Sequence, residues 1–557
     1  MNPLLYTDYY KTEHHNMYPK GTTMIYSNFT PRKSRIPGVD KVVVFGVQHF
    51  IIKYLLDKFV NNFFKRPLDE VIKEYTTHIN VDATHIVNLH KLGYLPIEIK
   101  ALPEGTLCPI GVPVMTIKNT HPDFFWLTNY LETLISCQLW QPITSATIAY
   151  EYKKLLEHYA KETTGSTDFV PWQGHDFSMR GMSSIESAIL SGMGHLLSFT
   201  GTDTIPAIYA LEKSYAGAGL IGASVPATEH SVMCMGTKDD EIGTFKTLMD
   251  KYPKGILSVV SDTWDLWKVC TEYLPKLKEE ILARDGKLVI RPDSGNPVDI
   301  ICGLNKIEDI TTLLDLPSDE YVYKNTRFYF NQKEWLDVLS YYDKEIHLEE
   351  ALHTYLKNDN LGGFKKWNGN KVIYFLEYNE SVSKGVIELL WDIFGGTINE
   401  KGYKVLDPHI GAIYGDSITL ERAKEICERL KAKGFASTNI VLGIGSYTYQ
   451  YNTRDTFGFA MKATAGKIGD EMREIFKDPI TDDGTKKSKK GLLKVTEVAL
   501  LVPDTGEKTV PIKTTLVVKD QCNWNEEKRG LLETVFLNGE LTKAQTLKEI
   551  RERLNKQ

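Results

Sequence analysis

Between residues 255 and 455 the chain repeats one pattern: a short apolar run that reads as a buried strand, an abrupt polar or glycine-rich stop, then a helix-forming stretch. Ile256–Val260 runs into Ser261-Asp262, and Leu288–Ile290 into Arg291-Pro292-Asp293-Ser294-Gly295-Asn296-Pro297. Ala412–Tyr414 ends in Gly415-Asp416-Ser417, and Ile440–Leu442 in Gly443-Ile444-Gly445-Ser446. Between the last two runs, Leu420–Leu430 carries apolar residues at helical spacing and stops at Lys433-Gly434, glycine being favoured just past a helix end. Upstream, Ser183-Ser184-Ile185-Glu186 is a capping-box pattern that opens an apolar helix to about Phe199. Strand, loop and capped helix in alternation predict a (β/α) barrel over residues 151–454.

The flanks read differently. Residues 1–150 mix strand and helix patterns, with Thr22–Phe29 and Val42–Phe45 as strands and Val47–Phe59 as a helix. Ile97–Ile117 is strand-rich and broken by the turn signals Pro103-Glu104-Gly105 and Pro109-Ile110-Gly111. Within the barrel, residues 303–385 interrupt the rhythm. There Lys344–Leu356 reads as an amphipathic helix, and Trp367-Asn368-Gly369-Asn370 is a hairpin turn ahead of a strand over Lys371–Tyr378. This aromatic-rich stretch is an inserted subdomain rather than a disordered linker. The expected fold class is α/β: an incomplete (β/α) barrel, plus an α/β domain formed from the N-terminal 1–150 and C-terminal 455–557 segments.

At 557 residues the chain exceeds what one core supports, so more than one domain follows. A net charge of −6 gives no reason to expect a nucleic-acid partner; anionic ligands would need local cationic clusters. The one basic run, Lys486-Lys487-Ser488-Lys489-Lys490, reads as a solvated loop. Seven scattered cysteines without paired spacing point to reduced thiols rather than a disulfide framework or zinc site. No basic-then-apolar leader pattern and no apolar run near ~20 residues appear, so the expectation is a cytoplasmic protein without a membrane partner.

Parallel barrels carry their active sites at the carboxyl ends of their strands, where Asp262, Arg291, Asp293, Gly415, Asp416, Gly445 and Ser446 fall. Asp262, Asp293 and Asp416 are of the type that holds ribose hydroxyls and Mg²⁺, a cation that takes oxygen ligands and keeps several waters. One or two of them, Asp262 and Asp293 first, would meet the metal directly or through water. Gly415, Gly445 and Ser446 offer backbone N–H groups to phosphate.

The motifs also carry a resemblance. Thr7-Asp8-Tyr9-Tyr10-Lys11, Gly174-His175-Asp176-Phe177-Ser178-Met179-Arg180-Gly181, Gly201-Thr202-Asp203-Thr204 and Ser224-Val225-Pro226-Ala227-Thr228-Glu229-His230-Ser231 stand in order. Ser258–Asp262, Ile290–Pro297 and Thr453-Arg454-Asp455 follow them. Together they resemble the nicotinamide phosphoribosyltransferases, a type II phosphoribosyltransferase family, over nearly the whole chain outside the insertion. The resemblance implies phosphoribosyl transfer from phosphoribosyl pyrophosphate (PRPP) to nicotinamide, with Mg²⁺, in a homodimer whose active sites lie at the subunit interface.

It further implies roles residue by residue. Phe177 and the partner-supplied Tyr10 would sandwich the flat nicotinamide ring, with Asp8 in the same substrate-binding segment. Asp203 would accept the amide N–H and repel nicotinate; read without the resemblance, it is equally a helix N-cap. Arg291 would sit beside base and phosphates, Arg180 and Arg454 at anion positions, and Arg32, Lys462 and Lys477 opposite phosphates, some across the dimer. His230 would be phosphorylated by ATP, an optional co-substrate, with Glu229 orienting its ring. Where the family commonly has a glycine run this chain reads Gly445-Ser446-Tyr447, which narrows the phosphate loop. Rival readings are a nicotinate phosphoribosyltransferase, opposed by Asp203, and a silent ligand-binding protein, opposed by the retained Arg180, Arg291, Asp293, Asp262 and Arg454.

Overall fold

The computed structural model describes residues 1–216, 219–306, 318–323, 326–333, 364–367, 370–376, 379–415, 417–477, 480–481, 489–500 and 513–557. The predicted helix over 344–356, Asp416 and residues 486–488 of the basic run lie outside them. The chain divides into two compact units: Met1–Lys153 with Asp176–Ala223 and Ser446–Gln557, and Lys154–His175 with Ser224–Gly445.

The first unit is built from both ends of the chain. Its antiparallel sheet runs in the order Glu471–Glu474, Ala460–Ile468, Thr22–Thr30, Met115–Asn119, Ile97–Ala101, Glu533–Leu537, Glu540–Leu541. N- and C-terminal strands therefore pair directly, with Phe29 opposite both Met461 and Met115. Phe29 also stacks on Phe459 with ring centroids 5.2 Å apart, within a core that includes Val42, Phe50, Phe59, Phe63 and Ile135. The helix expected over Val47–Phe59 continues to Phe64, through π turns at Ile51–Lys58 and Val60–Phe64.

Asp176–Ala223, expected within the barrel domain, groups with this first unit. The reason is a second core: Leu190, Met193 and Leu197 pack with Val43 and Phe45 from the N-terminal part and with Leu547, Ile550 and Leu554 from the last helix. The N-cap falls one residue later than the capping-box pattern predicts. Ser184, not Ser183, caps Ile185–His195 by accepting from the Ser187 N–H. Glu186 instead takes the Lys53 ammonium at 2.6 Å and the Tyr54 hydroxyl at 3.0 Å.

The second unit holds the parallel sheet, in the order Ile440–Ile444, Ile410–Tyr414, Asp285–Arg291, Lys254–Val260, with Gly174-His175 beyond Ile440–Ile444. Each strand extends the predicted apolar run at one or both ends. The strand order has two ends, so the barrel is incomplete. Leu420–Ala432 is the predicted helix, and Gly434 follows it at φ +76°. The insertion carries its own five-stranded sheet over Asn305–Lys306, Asp319–Tyr323, Thr326–Phe330, Asn370–Leu376 and Phe364–Trp367. Trp367 pairs with Asn370, as the hairpin signal requires. The two ends of the insertion cross at Gly303 and Gly385, both at φ +75°. A Cβ on Gly385 would lie 2.1 Å from the Gly303 nitrogen, so only glycine admits the crossing.

Ile550, fully buried on the last helix in the cluster with Val43 and Phe45, should carry much of the second core. Ile550→Ala should cost about 2–5 kcal/mol of stability, read as a lower urea midpoint at unchanged slope.

Candidate active site

Parallel pairing sets the geometry of the strand ends. Val260 lies opposite Arg291, Ile290 opposite Ala412, and Tyr414 opposite Leu442. Just beyond these pairs the loops bond to one another: the Ser261 N–H to the Arg291 carbonyl at 3.0 Å, and the Gly415 N–H to the Pro292 carbonyl at 3.1 Å. Asp262 and Asp293 thereby meet. Asp262 Oδ2 accepts from the Asp293 N–H at 2.9 Å and from the Ser294 hydroxyl at 2.5 Å. Gly415 leaves room for Asp293, because a Cβ there would lie 2.2 Å from Asp293 Oδ1. The Tyr414 hydroxyl bonds the Gly295 carbonyl at 2.9 Å and ties down the far side of the Asp293 loop. Gly445 closes the last strand.

His230 enters this cluster along the edge strand. Ala227 bridges to Ser258 in parallel, and the Thr228 hydroxyl accepts from the Val260 N–H at 2.9 Å. The ring of His230 is half exposed, with Nε2 3.8 Å from Asp293 Oδ2 and Nδ1 3.3 Å from the Thr263 hydroxyl. Glu229, expected to orient the ring, instead accepts from the Ser231 hydroxyl. Thr263 and Asp293 are the groups that face the imidazole. Neither partnership was visible in sequence, because both cross from one strand-end loop to another.

Does this cluster suit Mg²⁺? Asp262 Oδ1 is buried without a hydrogen-bond partner among the described residues, an acceptor that a cation or its water would satisfy. No group of three or more His, Cys, Asp or Glu gathers among the described residues. The donor set therefore fits a hydrated cation held by one or two carboxylates and its phosphate ligand.

In the first unit, Phe177 is half-buried and Arg180 exposed, on the turn after Asp176. Asp203 follows Gly201-Thr202, its N–H bonded to the Asp176 carbonyl at 3.0 Å, its side chain exposed. The N-cap of Ile205–Ser214 is Thr204, so Asp203 does not serve as the cap. Ser446 stands over the Arg180-Gly181 turn: a Cβ on Gly181 would lie 2.1 Å from Ser446 Oγ. Ser446 is accommodated by a glycine opposite.

A cationic group also gathers in the first unit. Burial, then the positive charges of Lys477 and Arg32, push the Lys462 ammonium down, with Glu132 opposing and Arg454 adding to the fall. Arg32 donates to the Gly458 carbonyl at 2.9 Å, and Arg454 pairs with Asp455 at 3.3 Å. Four cations within electrostatic reach are poised for an anion. The N-terminal segment stands exposed: Tyr10 is 62% accessible and edge-on to His14, and Asp8 accepts from Thr133 at 2.6 Å.

The half-barrel fold and its acidic and glycine-lined strand ends place the chain in the class of phosphoribosyltransferases. A model of the nicotinate phosphoribosyltransferase (NAPRTase) family matches residues 172–540, and one of the nicotinamide phosphoribosyltransferase N-terminal domain matches residues 2–99. The chain belongs to the nicotinate phosphoribosyltransferase family. It is similar to the nicotinamide phosphoribosyltransferase of Acinetobacter baylyi, 44% identical over 576 residues covering 100% of this chain and 98% of that protein. The Mycoplasma pneumoniae nicotinamide phosphoribosyltransferase is 35% identical, over 87% of this chain and 94% of its own. The crystal structure of human nicotinic acid phosphoribosyltransferase shares the fold, with a TM-score of 0.51 at 14% identity over 99% of this chain and 93% of that one.

One titration bears on the Asp262 loop. Glu241 is 3% exposed, and its Oε1 has no partner among the described residues. Burial, then the negative charge of Asp265 at the end of that loop, push its carboxyl up to about 7 against the pull of Lys268. The folded state thus holds a proton that the unfolded chain releases near the ordinary carboxyl value. That stabilisation is complete below about pH 4.5 and lost as pH rises through about 7. The urea midpoint should fall between about pH 5 and pH 8 in the wild type, and fall less in Glu241→Gln.

Proposed function

We propose that the chain transfers the phosphoribosyl group of PRPP to nicotinamide, forming nicotinamide mononucleotide and pyrophosphate as a step of NAD salvage. The observation that carries this reading is Asp203: an exposed carboxylate, not used as a helix cap, on a loop bonded to the Phe177 segment. A carboxylate accepts the N–H of a carboxamide and repels a carboxylate in its place. The half-buried Phe177 offers one face for the electron-poor ring, and Tyr10 of a second copy would supply the other.

The chemistry asks mainly for alignment and charge stabilisation. As the bond from ribose C1 to pyrophosphate breaks, positive charge grows on the sugar and negative charge on the leaving group, while the ring nitrogen of nicotinamide forms the new bond. Asp262 and Asp293 would hold the ribose hydroxyls and the hydrated Mg²⁺, with Asp416 in reserve. Bound Mg²⁺ supplies charge neutralisation to the pyrophosphate. Arg291, Arg180 and the group Arg32, Lys462, Lys477 and Arg454 would meet phosphate oxygens, with the backbones of Gly415, Gly445 and Ser446.

His230 fits a second, ATP-dependent step. A neutral imidazole nitrogen would take the γ-phosphoryl group, the bond to the ADP oxygen breaking as the N–P bond forms, and Asp293 would lie beside the product. The protein would act as a homodimer, through which Tyr10, Asp8 and part of the cationic group serve the partner's site. The reading places it in the cytoplasm, where the seven free cysteines stay reduced, with no nucleic-acid or membrane partner. Among the described residues no helix is long and apolar enough to cross a membrane.

The deciding experiment supplies PRPP and Mg²⁺ with nicotinamide or with nicotinate. Mononucleotide from nicotinamide alone supports the reading; turnover of nicotinate alone moves the protein to the neighbouring activity. Asp203→Asn should raise nicotinate turnover relative to nicotinamide by about tenfold, equivalent to about 1.4 kcal/mol of lost repulsion. An unchanged preference would remove Asp203 as the selector. With γ-labelled ATP the wild type should acquire acid-labile, base-stable label, and His230→Ala should acquire none.

A further inference from the structure

Asp176 is fully buried, yet both its carboxylate oxygens and its carbonyl accept hydrogen bonds. Its Oδ1 accepts the Ser178 N–H at 2.9 Å, so the carboxylate folds its own chain around Phe177. Its Oδ2 accepts the Thr204 hydroxyl at 2.8 Å and the Thr202 hydroxyl at 3.3 Å. Its backbone carbonyl accepts the Asp203 N–H at 3.0 Å. Asp203 is thus held on both sides, by Thr202 and Thr204, and through its own amide. Helix Ile185–His195 closes over this arrangement at Gly192, where a Cβ would lie 2.7 Å from Ala207 Cβ, 3.2 Å from Thr204 Cγ2 and 3.3 Å from Asp176 Oδ2.

A second buried link fastens the same loop from behind. His195 Nε2 lies 3.0 Å from the Gly201 carbonyl and Nδ1 2.8 Å from the Tyr449 hydroxyl. A carbonyl oxygen only accepts, so Nε2 carries the proton and Nδ1 accepts from Tyr449. Burial, then the charge of Asp176, raise the Tyr449 phenol well above its ordinary value, which keeps it a donor. Tyr449 ends the short helix Ser446–Tyr449, which begins at the serine over the Arg180 turn.

We propose that Asp176 is the positioning residue of the base site: its buried carboxylate locks the Phe177 and Asp203 loops into one frame and so sets the discrimination between a neutral carboxamide and a carboxylate. The His195–Tyr449 link connects that frame to the phosphate loop. This rests on the proposed function, since it concerns how the base is chosen. Asp176 itself need not touch the base. A wandering Asp203 would lose the hydrogen bond to nicotinamide and relax its repulsion of nicotinate together, whereas phosphate contacts elsewhere would remain.

The test is steady-state kinetics of wild type, Asp176→Ala, Asp176→Asn and Thr204→Val with both bases. Thr204→Val removes only a hydroxyl that makes no helix-capping bond, so it remains informative if Asp176→Ala does not fold. In Asp176→Ala and Thr204→Val the KM for nicotinamide should rise about tenfold and about threefold, with the nicotinamide-to-nicotinate preference falling. The KM for PRPP should change less than about twofold. Asp176→Asn should recover most of the loss, its Oδ1 accepting from Ser178 and its Nδ2 donating to a threonine hydroxyl turned to accept. Variants that keep wild-type base KM and preference would overturn the inference, as would equal rises in the KM for base and for PRPP. A wild type that forms no mononucleotide from nicotinamide would overturn the functional reading itself.

Discussion

Register in the parallel sheet is the constraint on which the acidic site depends. Val260 opposite Arg291 and Ile290 opposite Ala412 bring three strands to an end at one level. A slip of one residue would move a loop by about 3.3 Å along the strand and turn every side chain to the other face. The 2.9 Å contact between the Asp293 N–H and Asp262 Oδ2 would not survive it. What resists the slip is packing on both faces: Leu288, Ile290, Leu442 and Ile410 are all fully enclosed, and Ile410–Tyr414 is buried at every position, so a shifted register would have to repack the core on either side.

Close approach is the second theme. Asp293 occupies space that any side chain at Gly415 would fill, and Ser446 occupies space that a side chain at Gly181 would fill. These glycines matter for what stands against them rather than for unusual backbone angles. At Ser446 the space that the side chain takes on one loop is left free by Gly181 on the facing turn.

Each unit gathers charge of one sign. Carboxylates sit at the strand ends of the second unit, one of them with a buried oxygen lacking a partner among the described residues. Cations gather in the first unit, close enough to depress Lys462. A net charge of −6 concealed both, since neither cluster is contiguous in sequence.

The sequence by itself determined the strands, their polar stops, the helix ending at Gly434 and the pairing of Trp367 with Asn370, because periodicity and turn chemistry are local. Its motifs also determined the family. Contacts between distant segments were decided only by tertiary structure. Asp176–Ala223 joined the first unit because Leu190 and Met193 find their apolar partners in Phe45 and Leu547. Glu186 left its expected cap for Lys53 and Tyr54, a stronger charge-assisted bond than an exposed backbone N–H offers. His230 faces Thr263 and Asp293 rather than the adjacent Glu229, because the neighbours that matter are set by parallel strands stacked about 4.8 Å apart, not by the next residue along the chain.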